Sequence, residues 1–342
     1  MQISFKKIIF LFAIIVGGVF IYYQYKPGNE CESRVNYDHL YLNRNINLDS
    51  LFLPVDSLEK GEVLEEWRSF NSESDQYDIL EEFALYGRTC KLISHTYGGD
   101  RHFGAVLFPS GYDYSKSYPL IVWADGLNQL DPSTKLERSM TGFLSQHLDD
   151  YFIVVPSYRG QSLYANKKFY CSDGFFGDAF DGATSDALRL LHLTQTKLGN
   201  VDSTRLAIYG VSRGGTVALL AGIRNTNFNC IISQSGPTDF LRMHGYKRYG
   251  RQYRYIFLAY DLPFYEIRKK IIRCSPLHFI ENYQGNLLLL HGRNDDTVPL
   301  FHASELIDKM KDRSSFEYVL TSDGHSMNQV RRVVSWLTEN NK

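Results

Sequence analysis

Short apolar runs alternate with stretches of helical periodicity along most of the chain, and this alternation limits its fold more than any other feature. Strand-like runs include YPLIVWADG, YFIVVPSYRG, RLAIYG, CIISQSG and LLLLHG, and helical spacing is clear in DGATSDALRLLHLTQTKLG, TVALLAGIRNT and VRRVVSWLTEN. Strands that are apolar along their whole length are typical of a parallel sheet that helices cover on both faces. The sequence therefore predicts an α/β fold with a mostly parallel central sheet. It contains no internal repeat, which argues against a propeller or a solenoid.

The composition excludes several classes of protein. The 342 residues have room for one large domain with appendages, and a hydrophobic fraction of 44% is sufficient for a sizeable core. The formal net charge of −1 gives no electrostatic reason to expect a nucleic-acid partner. No metal-binding or nucleotide-binding motif occurs, so we expect neither a metal nor an organic cofactor. Five cysteines allow at most two disulfides, and the sequence leaves the pairing open among Cys31, Cys90, Cys171, Cys230 and Cys274.

The N-terminus carries Lys6 and Lys7 directly before an uncharged apolar stretch, from Ile8 to Tyr23. As a helix at ~1.5 Å per residue, this stretch and its tyrosine flank approach the ~30 Å thickness of the hydrocarbon core of a bilayer. We therefore predict a transmembrane anchor in residues 1–25, with the following chain on the extracytoplasmic side, periplasmic or extracellular. A cleaved signal peptide that leaves a secreted protein is the alternative, and a buried helix of a soluble protein is a third.

We predict that residues 26–82 form a polar tether and then a short acidic helical segment. In DSLEKGEVLEEWRSF, Asp56 is a candidate N-cap with Glu59 three residues later, and Val63 and Trp67 share one face of the helix. We expect the charged side of this helix to be solvated surface rather than a docking site.

Residues 206–222, LAIYGVSRGGTVALLAG, place Ser212 between glycines at the junction of a predicted strand and a predicted helix. A serine hydroxyl is a weak nucleophile near neutral pH, so it needs a neighbouring base and an exposed position. Gly210 and Gly214 would let the backbone turn sharply and raise Ser212 above the sheet, while the amide of Arg213 would face a developing oxyanion. The pattern predicts a nucleophile, and the alternative is a loop that the glycines make flexible.

An activated serine requires a histidine base, and the histidine requires a carboxylate that orients it. The segment LLLLHGRNDDTVP ends one predicted strand and presents Asp295 and Asp296, and FEYVLTSDGHSM ends the next strand and presents His325. Taken alone, the acids are typical of a turn and the histidine of a surface loop. Their occurrence after successive strands, in the order serine, acid, histidine, favours a catalytic triad at the carboxyl ends of the strands.

From about Lys91 to the C-terminus the chain resembles the catalytic domain of the prolyl oligopeptidase family of α/β-hydrolases. LISHTYGGDRHFGAVLFPSGYDYSKSYPLIV is similar to the entry hairpin and KYPLIV strand of the family, and PSYRGQSLY is similar to its NYRGS-x-GYG segment. VDSTRLAIYGVSRGG is similar to its serine motif, and SPLHFIENYQGNLLLLHGRNDDTVP is similar to its acid motif. The resemblance implies an α/β-hydrolase fold with helices on both faces of the sheet, with Ser212 as nucleophile, Asp295 as orienting acid and His325 as base. Asp296 falls on a variable motif position, which implies a structural role.

The chain departs from the family where a tyrosine hydroxyl or a backbone amide usually completes the oxyanion hole. Its segment WADGLNQ has Ala124 and Asp125 there and no tyrosine, so the second donor must be a backbone amide, that of Asp125 or Gly126. Losing one donor typically costs ~2.7–4 kcal/mol of transition-state stabilisation, which predicts a slow site or a different geometry. Because a carboxylate that faced the oxyanion would repel it, we expect the Asp125 side chain to point away.

A second departure is what precedes the catalytic domain, which we place at residues 83–342. Peptidases of the family carry a long propeller that screens substrates, and residues 26–82 are too few for one. An insertion at about residues 238–274 lies where these folds place a lid. We expect it to be a solvated amphipathic helix that could pair with the acidic segment, and a rim for carboxylate-bearing or aromatic substrates is the alternative. The cationic and aromatic residues that suggest a rim are Arg242, Lys247, Arg248, Arg251, Arg254, Tyr246, Tyr249, Tyr253, Tyr255 and Tyr260.

The sequence as a whole predicts a membrane-tethered serine hydrolase that acts on small molecules or short peptides without a cofactor. The resemblance favours a serine peptidase, while a carboxylesterase with the same triad and a non-catalytic, hydrolase-like binding protein remain open. We expect Arg159, in the segment SYRG, to be a structural pairing residue rather than a substrate ligand. The sequence does not specify the natural substrate or the oligomeric state.

Overall fold

The computed structural model describes residue 31 and residues 48–128, 131–137, 139–225, 227–245 and 262–342. Within these residues the strands are β1 (Gln76–Leu85), β2 (Arg88–Tyr97), β3 (Asp100–Leu107), β4 (Tyr118–Ala124), β5 (Ser133–Lys135), β6 (Phe152–Pro156), β7 (Ser162–Ala165), β8 (Lys168–Cys171), β9 (Val201–Val211), β10 (Phe228–Gln234), β11 (Asn286–Gly292) and β12 (Phe316–Thr321). The α-helices are α1 (Leu48–Leu51), α2 (Ser57–Arg68), α3 (Ser139–His147), α4 (Asp181–Leu193), α5 (Arg213–Arg224), α6 (Phe264–Arg273), α7 (Phe301–Met310) and α8 (Val330–Asn340).

The main sheet has the strand order β1-β2-β3-β6-β4-β9-β10-β11-β12. The pairs from β1 to β6 are antiparallel, whereas β6, β4, β9, β10, β11 and β12 run parallel to one another. This order confirms the mostly parallel sheet that the sequence predicts. The first strand enters the sheet at Gln76, ahead of the domain start expected at residue 83. The carboxyl ends of β4, β9, β10, β11 and β12 meet at one edge of the sheet, where loops can bring distant residues together.

The parallel strands are apolar throughout because both faces of the sheet are covered. In β4, Val122 packs into one buried apolar cluster and Trp123 into the other, and Ile208 and Tyr209 of β9 divide in the same way. Residues of α4, α5 and α7 belong to the first cluster, and residues of α3 and α8 belong to the second. Each fully buried side chain of this size contributes roughly 1.5–3 kcal/mol relative to an exposed one, so the two layers hold the sheet firmly in place.

A separate three-stranded sheet, β5-β7-β8, was not predicted from the sequence. Its strands are three or four residues long, which is too short for an alternating apolar pattern to be recognised. Glu81 of β1 accepts hydrogen bonds from Lys168 and Tyr170 of β8 at 2.6 and 2.8 Å. These bonds attach the small sheet to the antiparallel edge of the main sheet.

Helix α2 is the predicted acidic helix, and it begins with the expected capping box. Asp56 Oδ1 accepts from the Glu59 amide at 2.9 Å, and the Glu59 carboxylate accepts from the Asp56 amide at 3.1 Å. The prediction that its charged side is solvated surface is wrong, because Glu59 pairs with Arg268, and Glu66 pairs with Lys269 and with the arginine that ends α6. The acidic segment is thus paired with the last part of the predicted insertion.

A disulfide between Cys31 and Cys171 ties the N-terminal part of the chain to β8, with the two Cα atoms 5.6 Å apart. Cys90, Cys230 and Cys274 are buried thiols. None of the helices in the described ranges has the length and apolar character needed to cross a bilayer. The predicted anchor, residues 1–25, lies outside the described residues.

Candidate active site

Ser212 occupies the sharp turn between β9 and α5. Its φ of 56° and ψ of −122° are strained values for a residue other than glycine. A Cβ added at Gly210 would lie 1.9 Å from the carbonyl oxygen of Gly214, and one added at Gly214 would lie 1.9 Å from that of Ala124. The glycines therefore let three backbone segments meet, as the sequence predicts. The turn holds Ser212 at the carboxyl edge of the sheet.

Asp295 and His325, which we call the acid–base pair, are joined by a hydrogen bond of 2.8 Å from Nδ1 to Oδ2. The other carboxylate oxygen, Oδ1, accepts from the amides of Thr297 and Val298 at 2.9 and 2.8 Å. The Asp295 side chain is fully buried, whereas that of His325 is 23% exposed. Burial alone would raise the pKa of Asp295, but the bonds from His325 and the two amides outweigh it and lower that pKa. Asp295 is therefore ionised at neutral pH and keeps the proton of the ring on Nδ1, which leaves Nε2 able to accept one.

His291, near the end of β11, is a neighbour of this pair that sequence analysis missed. Its Nε2 donates to the carbonyl oxygen of Val298 at 2.9 Å and lies 3.8 Å from Asp295 Oδ2. Burial is the main influence on its pKa and lowers it, so the ring is neutral at pH 7. His291 thereby ties β11 to the far end of the Asp295 turn. Its signal was the histidine of LLLLHG, which a single sequence does not distinguish from an ordinary core residue.

Ser212 and His325 both lie against the end of β10. The Ser212 amide donates to the Gln234 carbonyl at 2.8 Å, the Gln234 side chain donates to the Met327 carbonyl at 3.0 Å, and the Ser235 hydroxyl donates to the His325 carbonyl at 3.5 Å. The structure thus brings the three residues of the predicted triad to one edge of the sheet. In the part of the chain that is described, no hydrogen bond joins Ser212 Oγ to the His325 ring. Catalytic hydrogen bonds of this kind are often long before substrate binds.

Residues 124–127, which we call the oxyanion segment, lie beside Ser212. A Cβ added at Gly126 would be 3.6 Å from the Cβ of Ser212. The Gly126 amide, one of the two donors predicted from the sequence, donates to Asp125 Oδ1 at 2.9 Å. The short Asp125 carboxylate thus turns back onto the next amide of its own segment, and that it points away from the oxyanion stays a prediction. The Arg213 side chain donates to the carbonyl oxygens of Asp125 and Gly126, a contact that the sequence did not reveal.

Arg159 is a structural pairing residue, as predicted. Its guanidinium donates to Asp186 Oδ1 at 2.7 Å and to Asp178 Oδ2 at 2.8 Å. Burial is the largest single influence on Asp186 and would raise its pKa, but the charge of Arg159 and further interactions lower that pKa to about 2. These pairs fix residues 158–160, and the Arg213 guanidinium stacks on the ring of Tyr158, 4.3 Å from its centroid.

The predicted insertion is described only in part. Arg242 pairs with Glu305 of α7, and its guanidinium lies 4.9 Å from the centroid of the Phe301 ring. The other cationic and aromatic residues named for a substrate rim lie outside the described residues. Arg242, the described member of this set, therefore contacts α7.

Comparisons with known proteins found both peptidases and an esterase. The sequence profile of the prolyl oligopeptidase family matches residues 143–340. The uncharacterized peptidase YuxL of Bacillus subtilis (strain 168) is 24% identical over 152 residues, which is 41% of this chain and 23% of that protein. Dipeptidyl peptidase 4 of Bos taurus is 24% identical over 299 residues, 80% of this chain and 35% of that protein. The matched regions therefore cover 23% of the first relative and 35% of the second, so this chain spans about a third of their length or less.

Among solved structures, acetyl xylan esterase 1 from Thermoanaerobacterium sp. JW/SL YS485 has a similar fold. The TM-score is 0.64 at 15% sequence identity, and the match covers 87% of this chain and 99% of the esterase. At an identity this low, the structural match shows that the two proteins share the α/β-hydrolase fold, and it shows nothing more.

Proposed function

We propose that this chain, which belongs to the prolyl oligopeptidase family and is a serine hydrolase, cleaves short peptides. In this proposal Ser212 is the nucleophile, His325 is the base and Asp295 is the acid that orients the base. The observation that carries the proposal is the acid–base pair, in which a buried carboxylate holds Nδ1 of a partly exposed imidazole. The strained backbone of Ser212, at the same edge of the sheet, supports it because such strain is typical of a raised nucleophile.

In the first step, Ser212 Oγ bonds to the carbonyl carbon of the scissile bond while its proton passes to His325 Nε2. The π electrons of the carbonyl group move onto its oxygen, where backbone amides stabilise the new charge. Asp295 stays ionised because its pKa is lowered, and it stabilises the imidazolium that forms. When the intermediate collapses, the leaving amine takes the proton from His325, and an acyl-enzyme remains on Ser212.

Water completes the cycle by the same chemistry. His325 takes a proton from a water molecule as the water oxygen bonds to the acyl carbon, and the electrons again move onto the carbonyl oxygen. Collapse then breaks the bond to Ser212 Oγ, which recovers the proton from His325. Both steps pass through an oxyanion, so a defect in the oxyanion segment slows both.

Labelling with a fluorophosphonate tests this mechanism. The wild-type protein should be labelled, and so should Ser335→Ala, a control that removes an exposed serine on α8. Ser212→Ala should not be labelled, and its kcat should fall by about 10⁶-fold, the scale seen when a triad nucleophile is removed. A labelled or fully active Ser212→Ala variant contradicts the proposal, and an unlabelled wild type favours the binding-protein alternative.

A carboxylesterase is a second candidate, and the match over nearly the whole length of the acetyl xylan esterase favours it. Residues 48–75 of this chain contain α1 and α2 and no propeller blade, so the described part resembles the esterase in extent. Rates of hydrolysis of aminoacyl anilides and of short-chain acyl esters, each corrected for Ser212→Ala, separate the two candidates. A kcat/KM for esters that exceeds the anilide value by more than their difference in intrinsic reactivity assigns the esterase.

We also propose that the catalytic domain is exported and stays attached to the membrane through residues 1–25. The disulfide between Cys31 and Cys171 supports export, because such bonds persist in oxidising compartments and are rare in a reducing cytosol. Protease added to intact cells or spheroplasts should digest the domain while a cytoplasmic marker survives. Protection of the domain contradicts export, and a mature N-terminus beyond residue 16 found by mass spectrometry identifies a cleaved signal instead.

A further inference from the structure

The guanidinium of Arg213 is buried, although this residue directly follows the nucleophile. Arg213 is 1% exposed. Its Nη2 donates to the carbonyl oxygens of Gly126 and Asp125 at 2.8 and 3.2 Å, and its guanidinium stacks on the Tyr158 ring. Moving a charged group out of water costs several kcal/mol unless new hydrogen bonds replace those to water. The bonds to two consecutive carbonyl groups are such a replacement, and they fix the backbone of the oxyanion segment.

Fixing these carbonyl oxygens also fixes the direction of two amides. In a trans peptide the C=O and N–H bonds point in opposite directions, and none of the described peptide bonds is cis. With the carbonyl oxygens of Asp125 and Gly126 directed at Arg213, the amides of Gly126 and Leu127 are directed to the opposite side of the segment. The Gly126 amide agrees with this, because it donates there to a carboxylate, that of Asp125.

The segment that carries these amides adjoins the nucleophile. A Cβ added at Gly126 would lie 3.6 Å from the Cβ of Ser212 and 3.4 Å from the carbonyl oxygen of Val211. The Gly126 amide is occupied by Asp125, whereas the Leu127 amide has no acceptor among the described residues. Of the two amides that Arg213 orients, that of Leu127 is therefore the one available to a new anion.

We propose that the side chain of Arg213 is a positioning residue, which presents the Leu127 amide as the second donor of the oxyanion hole. The backbone amide of Arg213 is the first donor, and the proposal rests on the function proposed above. When Ser212 Oγ adds to the carbonyl carbon, the electron pair that moves onto oxygen is stabilised by these two N–H groups. The guanidinium touches neither the substrate nor the oxyanion, and no bond to it forms or breaks. This assignment replaces the amides of Asp125 and Gly126, which the sequence suggested as second donor.

Steady-state kinetics of Arg213→Met test the proposal. We expect kcat to fall about 100-fold with KM within about twofold, because the lost contact acts on the transition state, and loss of one oxyanion donor typically costs 10²–10³-fold. Arg213→Lys keeps the charge but not the fork of donors, so its kcat should lie between those of Arg213→Met and the wild type. Arg205→Met is the matched control: Arg205 pairs with Asp202 near the start of β9, and its loss should leave kcat unchanged.

A comparison of an ester with its thionoester adds a measurement that a purely structural defect would not change. Sulfur accepts hydrogen bonds poorly, so the ratio of the ester rate to the thionoester rate reports how well the oxyanion donors are placed. In Arg213→Met this ratio should fall at least tenfold. A smaller folded fraction would instead lower both rates equally and leave the ratio unchanged.

A folded Arg213→Met variant with the kcat and rate ratio of the wild type overturns the proposal. If Arg213→Met does not fold, the kcat values of Leu127→Pro and Leu127→Ala test the assignment instead. Both variants remove the leucine side chain, but only proline removes the amide hydrogen. A kcat at least tenfold lower for proline than for alanine supports the assignment, and equal kcat values overturn it. Failure of the proposed function is a separate result, in which the wild type is neither labelled by the fluorophosphonate nor active.

Discussion

The acid–base pair and the oxyanion segment serve the same reaction, but different parts of the chain hold them in place. Asp295 is fixed by the amides of the residues two and three positions later in the same loop, at 2.9 and 2.8 Å. Asp125 and Gly126 are fixed by Arg213, which is 88 and 87 residues away. A local arrangement is contained within one motif, whereas a distant one requires the whole sheet to be folded. A short motif can thus specify how the orienting acid is held, whereas the contacts that hold the oxyanion segment depend on residues elsewhere in the individual chain.

The two regions also differ in charge. In the acid–base pair, the carboxylate of Asp295 lies beside an imidazole that becomes positive during the reaction, so the charges attract. In the oxyanion segment, the carboxylate of Asp125 accepts a hydrogen bond from the Gly126 amide, which under the proposal above lies on the side of the segment where negative charge develops. We therefore expect that kcat is limited more by incomplete stabilisation of the oxyanion than by the proton transfer to His325.

The largest expected effect follows from breaking the acid–base pair. Asp295→Asn should lower kcat by about 10⁴-fold, because an amide in place of the carboxylate favours the wrong tautomer of His325. Asp296→Asn is the matched control, since Asp296 is exposed and, of these two acids, it is Asp295 that bonds to the His325 ring. Equal kcat values for the two variants would show that Asp295 does not orient the base.

Acid should lower the free energy of unfolding, because it protonates a carboxylate that lies behind the oxyanion segment. Asp186 binds Arg159, next to the Tyr158 ring on which Arg213 stacks, and its pKa is lowered to about 2 in the folded protein. A lowered pKa stabilises the fold above the unfolded value near 3.8, and this stability is lost as the pH falls through the folded value. Chemical denaturation should therefore show a loss of about 2 kcal/mol in the free energy of unfolding between pH 4 and pH 2 from this group.

Asp186→Asn checks the source of that pH dependence. The variant should be less stable than the wild type at pH 5, because it leaves Arg159 with a weaker partner in a buried place. Its free energy of unfolding should also vary less between pH 4 and pH 2. The same slope in both proteins would assign the acid sensitivity to other carboxylates.

The smallest expected change is a rise in kcat rather than a fall. Asp125→Ala removes a negative charge from beside the oxyanion and frees the Gly126 amide, so kcat should rise about fivefold, equivalent to about 1 kcal/mol. Asp308→Ala, which removes an exposed acid on α7, should leave kcat unchanged. If a folded Asp125→Ala variant loses activity, its carboxylate is needed to hold the segment, and the contrast in charge between the two regions has no effect on the rate.

The features that could be predicted from the sequence are those set by periodicity or by short motifs. The parallel strands were recognisable because two apolar layers impose apolar runs, and the capping box of Asp56 and Glu59 lies within four residues. The pairing of Glu59 with Arg268 was not recognisable, because ionic partners about 200 residues apart leave no local pattern. The bond from Arg213 to Gly126 was missed for the same reason, and the bond between Asp125 and the Gly126 amide was missed because only repulsion between the carboxylate and the oxyanion was considered.

The disulfide of Cys31 and Cys171 closes a covalent ring over a sequence separation of 140 residues. A protease that cut the main chain once between these cysteines would leave both pieces joined through sulfur. Release of the N-terminal piece after a cut between Cys31 and Cys171 would therefore require a second event, the reduction of this bond.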